Sequence, residues 1–164
     1  MKITHIGGPT AVLNLGGLTF LTDPAFDEPR DYQLPGRVMT KLTGPAIPAA
    51  DLGLVDVVLL SHDEHKDNLD DSGRALLPSV PTVLSTPGAA LRIEGVRGLA
   101  NWETIELQRP DGGVVTVTGV PALHGPDGAE AVLGFVTGFV LQGEGLPTVY
   151  VSGDNASLGH VPSS

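Results

Sequence analysis

The chain has 164 residues, is 41% hydrophobic, lacks cysteine and carries a formal charge of -10, from nine Lys and Arg against nineteen Asp and Glu. This length and apolar content suffice for the core of one domain over residues 1–164, and no run approaches the roughly 20 apolar residues of a membrane helix. An acidic balance with no basic patch argues against nucleic-acid binding, and the absence of cysteine removes disulfides and thiolate ligands.

Residues 2–6 read as an opening strand with no charged segment leading to a hydrophobic stretch, so no secretion signal is seen and the cytoplasm is the expected compartment. Gly7-Gly8 and Gly16-Gly17 read as tight hairpin turns around strand-like residues 11–15 and 18–22; no helix follows them, so they are not a phosphate cradle. His5, inside the first strand, is expected to be structural, with a pocket role left open. Residues 27–48 hold four prolines and little periodicity, and read as a long surface excursion. Residues 55–60 form an apolar strand. A short helix is expected over 70–77, with its acidic residues favourable at the N-terminus, then a buried strand over 81–85. Thr86 at N-cap and Pro87 at N1 start a second helix that runs to about Ile93. Residues 101–107 alternate like a half-buried strand, which places Trp102 in the core. Strands over 114–120, 131–140 and 148–151 complete a mostly β chain.

Chemistry concentrates where strands end. Ser61-His62-Asp63-Glu64-His65-Lys66-Asp67-Asn68-Leu69-Asp70 packs two imidazoles and four carboxylates into ten residues directly after an apolar strand. Such a loop holds several N and O donors on one rim, as a divalent transition metal requires. The strand over 114–120 leads to His124, and that over 148–151 leads through Ser152-Gly153 to Asp154. Three strand ends therefore converge on one edge, where loops held by rigid strands carry function. The candidate ligands are His62, Glu64, His65, Asp67, His124 and Asp154. Ser61 and Ser152 lie outside any G-x-S-x-G context and read as turn residues or supports of their neighbours.

On these residues the chain resembles the metallo-β-lactamase superfamily, within it the branch of the ascorbate-phosphate lactonase and the N-acyl phosphatidylethanolamine phospholipase D. The resemblance covers most of the chain: Ile6-Gly7-Gly8-Pro9-Thr10 matches an I-G-x-x-T turn, Leu21-Thr22-Asp23-Pro24 matches L-T-D-P, and Asp70 matches an acidic residue common in the branch. It implies that Asp23 supports the metal loop through hydrogen bonds. The family signature H-x-H-x-D-H is altered: His62 matches the first histidine, Glu64 stands at the second with His65 as an extra imidazole, and Asp67-Asn68 replaces Asp-His. Either Glu64 or His65 fills the second ligand position. His124 matches the third histidine and Asp154 the aspartate that usually bridges two metals. The final family histidine has no counterpart; His160 lies too close to Asp154 and reads as an exposed residue near the terminus.

The implied fold is α+β, a four-layer αββα sandwich whose second half is short at the C-terminus, leaving an apolar sheet face and edge that point to a homo-oligomer. The implied cofactor is a divalent metal, zinc first with iron or manganese as alternatives, and one ion rather than two, because Asn68 and the missing histidine weaken the second position. The implied activity is hydrolysis of a small ester, lactone or phosphodiester, with Asp67 and Asp154 as catalytic carboxylates. The alternative is a degenerate relative that binds a metal or small ligand and turns over little.

Overall fold

The computed structural model describes residues 1–125 and 135–156. Among these the chain is mostly sheet with few helices. Strands β1 (Lys2–Gly7), β2 (Thr10–Leu15) and β3 (Leu18–Thr22) form an antiparallel meander, and β4 (Arg30–Leu34) pairs with β5 (Arg37–Lys41) as a separate hairpin. Strands β6 (Val57–Leu59), β7 (Thr82–Ser85) and β8 (Val96–Gly98) then extend the meander in parallel, in the order β1-β2-β3-β6-β7-β8. Helix α1 (Asp71–Leu76) lies between β6 and β7, and α2 (Pro87–Arg92) between β7 and β8. A second, antiparallel sheet runs β12 (Val149–Val151), β11 (Val136–Gln142), β10 (Val114–Ala122), β9 (Thr104–Gln108).

The two sheets meet face to face. Leu13, Leu15, Phe20, Val57, Leu59 and Leu84 from the first contact Ile105, Val115, Val117, Phe139 and Leu141 from the second, and both phenylalanines are fully buried. The other face of the first sheet is covered as well: Leu21, Val58 and Val83 pack with Leu69 and Leu77, which flank α1. Covering on both faces explains why Val57, Val58 and Leu59 are consecutive apolar residues instead of alternating with polar ones.

Both helices start where their capping chemistry dictates. Asp70 is extended, and its Oδ1 accepts from the Gly73 N–H; Thr86 Oγ1 accepts from the Ala89 N–H with Pro87 behind it.

The surface excursion over residues 27–48 carries a hairpin, whose tight β4–β5 turn is Pro35-Gly36 with Gly36 at φ 74. Proline followed by glycine at positive φ is a type II turn, and Tyr32 anchors the hairpin by burying its ring and donating to Asp27 Oδ2 at 2.7 Å. Trp102 is 64% exposed instead of packed in the core. Its backbone sits at φ 68 in a turn whose N–H donates to Gly119 O, so the alternation of β9 begins only at Thr104. The strand expected over 131–140 is found as β11 from Val136; residues 131–134 and His160 lie outside the described residues. Among the described residues no helix is long and apolar enough to cross a membrane.

Candidate metal centre

Parallel pairing of β3 with β6 brings both C-terminal ends to one edge of the first sheet. The Asp23 N–H donates to Leu59 O, and the Asp23 side chain turns back so that Oδ1 accepts the Ser61 N–H at 2.6 Å. Asp23 holds the unusual φ of 30 needed for this, a conformation that persists only because its surroundings fix it. The second sheet reaches the same edge through β10, which runs into His124, and β12, which runs into Asp154. Thr137 donates its N–H to Ser61 O, and Ala156 to Leu123 O, tying the two sets of ends together. Gly153, at φ 54, completes the approach: a Cβ there would stand 2.5 Å from the Ser61 Cβ.

Four donors converge as a result. The ligating atoms of His62, His65, His124 and Asp154 all lie within 4.8 Å of one another. His62 Nε2 is 2.9 Å from His65 Nδ1 and 4.0 Å from Asp154 Oδ2, and His124 Nε2 is 3.8 Å from the same carboxylate oxygen. Tetrahedral donors at zinc–nitrogen bond lengths stand about 3.3 Å apart, inside this spread, so three imidazoles and one carboxylate fit a small divalent ion of borderline softness.

The supports of this set are specific. Ser61 Oγ lies 2.9 Å from His62 Nδ1, which leaves Nε2 facing the cluster. Asn68 Nδ2 donates to Asp154 Oδ1 at 3.1 Å, with Asp23 Oδ2 and Ser61 Oγ each at 3.4 Å. Burial pushes the Asp23 carboxyl up to about 7, and the Asp154 charge adds to this against the hydrogen bonds from Ser61 and Asn68. Burial likewise lowers His62 to about 4, helped by His65 and His124 and opposed by Asp154 and Asp67. At neutral pH His62 is therefore an uncharged imidazole with a lone pair to give.

The remaining sequence candidates stand apart from the four. Glu64 turns away: its Oε1 is 2.5 Å from Arg92 Nη2, on α2. Its neighbour Asp63, buried in the same loop, takes both Nε and Nη2 of Arg92. Against its burial, the hydrogen bonds and charge of Arg92, aided by Arg74, hold the Asp63 carboxyl below the usual carboxylate range. Asp67 is exposed, outside the four-donor group yet close enough for its charge to act on His62. Ser152 bonds only its own turn, and His5 Nε2 lies 3.0 Å from Gly8 O in the first hairpin. Asp70, besides capping α1, accepts from the Asp27 N–H and from Lys41 Nζ. Reading the sequence alone assigned no part to Arg92, Lys41 or the Asn68 amide. Their partners lie 28, 29 and 86 residues away, and no local signal reports such pairs.

No known family model matches the sequence, and no curated protein does. Solved structures do match. The isothiocyanate hydrolase from Delia radicum gut bacteria aligns with a TM-score of 0.75 and 26% identity over 97% of this chain. A protein of Veillonella parvula, described as a possible metal-dependent hydrolase, aligns at 0.71 and 21% identity over 98% of this chain. A metallo hydrolase from the hyperthermophilic archaeon Ignicoccus hospitalis aligns at 0.62 and 16% identity over 93% of this chain. The chain spans 64%, 65% and 60% of the lengths of these three structures. All three are thus described as hydrolases, the Ignicoccus protein as a metallo hydrolase and the Veillonella protein as a possible metal-dependent one.

Proposed function

We propose that this chain is a metal-dependent hydrolase of the metallo-β-lactamase superfamily, with one divalent ion, zinc first, held by His62, His65, His124 and Asp154. The four-donor cluster, drawn from three distant stretches onto one edge of the sandwich, carries this reading, and the hydrolases among the structural neighbours support it. A full four-layer sandwich, small-molecule substrates, a homo-oligomeric state and a cytoplasmic location belong to the same proposal.

A divalent ion in such a site supplies Lewis acidity, polarising the oxygen under attack and making water acidic near neutral pH. The chain's own residues do the rest. His62 is neutral at working pH, and Ser61 Oγ engages its Nδ1 so that Nε2 faces the cluster. Asn68 holds Asp154 in place. Asp67, beside the donors but outside them, accepts the proton of the attacking water. Substrates to consider are esters, lactones and phosphodiesters, joined by isothiocyanates because of the 26% identical neighbour.

The test is elemental analysis of protein purified without added metal, together with chromogenic turnover assays. One ion per chain is expected, lost in His124→Ala and retained in Glu64→Gln, with turnover following the metal. The degenerate reading rests on Asn68, an amide where the family carries a ligand, and on Glu64 being bound to Arg92. Metal bound without turnover of any substrate, and unaffected by His62→Ala, selects that reading.

A further inference from the structure

A side chain of α2 grips the loop that carries His62 and His65. Strands β6 and β7 pair in parallel, so the loop after β6 and the helix after β7 leave the sheet at the same edge. Arg92, the last residue of α2, reaches from there to the loop. Its Nε lies 3.0 Å from Asp63 Oδ2, and its Nη2 lies 2.5 Å from both Asp63 Oδ1 and Glu64 Oε1, so one planar fork takes two consecutive carboxylates. Gly88, one turn earlier on α2, leaves the guanidinium room: a Cβ there would stand 3.3 Å from Arg92 Nη1 and 3.4 Å from Nη2.

The two carboxylates differ in what else they touch. Asp63 is buried and has a second cation, with Arg74 Nη2 at 3.8 Å from its Oδ2 and 3.5 Å from its carbonyl oxygen. Glu64 is partly exposed, and among the described residues Arg92 is the only cation paired with it. Its other oxygen, Oε2, accepts from the Asp63 N–H at 3.2 Å. Charge over the group balances, Arg74 and Arg92 against Asp63 and Glu64. Loss of Arg92 therefore leaves Asp63 a partner and Glu64 none. Glu64 directly precedes His65 and stands two residues after His62, in one loop with two of the four donors. Released, it offers a hard oxygen beside imidazoles. Carboxylate oxygen suits manganese, whereas imidazole suits zinc.

We propose that Arg92 is a positioning residue that sets which ion the centre takes: by occupying Glu64 it keeps the donors at three imidazoles and one carboxylate, and so biases the site toward zinc over a harder ion. The inference rests on the metal centre of the hydrolase reading, and its readouts need no turnover.

The experiment measures zinc and manganese affinities of the full chain by competition with a chromogenic chelator, together with the visible spectrum of the cobalt(II)-loaded chain. Zinc is the tighter ion at any such site, so the quantity read is the ratio of zinc to manganese affinity. Arg92→Gln is expected to lower that ratio by about ten-fold and to weaken the cobalt d–d bands, as an added oxygen makes a four-coordinate ion five-coordinate. A merely structural role for Arg92 would weaken both ions alike and leave the ratio unmoved. Adding Glu64→Gln to Arg92→Gln should restore the parent ratio and spectrum. Should Arg92→Gln not fold, because buried Asp63 loses its closest partner, Asp63→Asn with Arg92→Gln releases Glu64 without that charge, and Glu64→Gln is again added to reverse the effect. A ratio and spectrum unchanged on replacing Arg92, or changes that persist after Glu64→Gln is added, overturn the Arg92 proposal and leave the metal centre standing. A parent chain that binds neither zinc nor manganese overturns the metal centre, and this proposal with it.

Discussion

Asn68 sits with its amide nitrogen within reach of two carboxylates, Asp154 at 3.1 Å and Asp23 at 3.4 Å. A neutral donor placed there hydrogen-bonds both carboxylates, of which burial already pushes Asp23 up to about 7. Its Oδ1 is buried with no hydrogen-bond partner among the described residues, so the side chain is oriented through its nitrogen alone. Asn68→Ala should therefore lower metal affinity by about 10–100-fold while leaving all four donors in the chain, read by competition with a chromogenic chelator. His62, His124 and Asp154 were legible in the sequence because each follows a strand end. The choice between Glu64 and His65 was not, since it depends on Arg92, which reaches back from α2 to take Glu64 out of the cluster.

At the scale of elements, Asp27 is one of the carboxylates that join the hairpin to α1. Asp27 Oδ1 accepts from the Ser72 N–H and hydroxyl at the start of α1, and Oδ2 from Tyr32 on β4. Burial alone would raise its pKa; these hydrogen bonds outweigh burial and bring it down to about 2. A carboxyl whose pKa is depressed on folding contributes stability above its ordinary value near 3.8, and that contribution disappears as pH falls toward about 2. Near 1.4 kcal/mol per pKa unit, the contribution at neutral pH is roughly 2 kcal/mol. Asp27→Ala should lose about that much in urea unfolding at pH 7, and the gap to the parent chain should narrow below about pH 3. The helix starts were readable from Asp70 and from Thr86-Pro87, whose capping is local. The hairpin is hard to read because β4 and β5 are largely exposed and weakly patterned, which leaves Pro35-Gly36 as its one local signal. Trp102 misled in the opposite way, because an aromatic in an alternating run suggests burial, yet its positive φ places it in a turn.

Over the whole molecule, the apolar runs that announced strands did become two sheets packed on one core, the cluster that holds both Phe20 and Phe139. Strand order was less accessible. The chain passes from the antiparallel meander to parallel β6 by way of the β4–β5 hairpin, and to β7 and β8 by way of α1 and α2; a sequence read in short windows reports such elements without reporting where the next strand lands.

The donors divide evenly between the layers: His62 and His65 follow the first sheet, His124 and Asp154 the second. Under the proposed metal reading, an ion gripped by both would act as a rivet through the sandwich, felt as resistance to prising the layers apart. Stripping it with a chelator should lower the melting temperature and speed amide exchange at the ends of β6, β10 and β12 together.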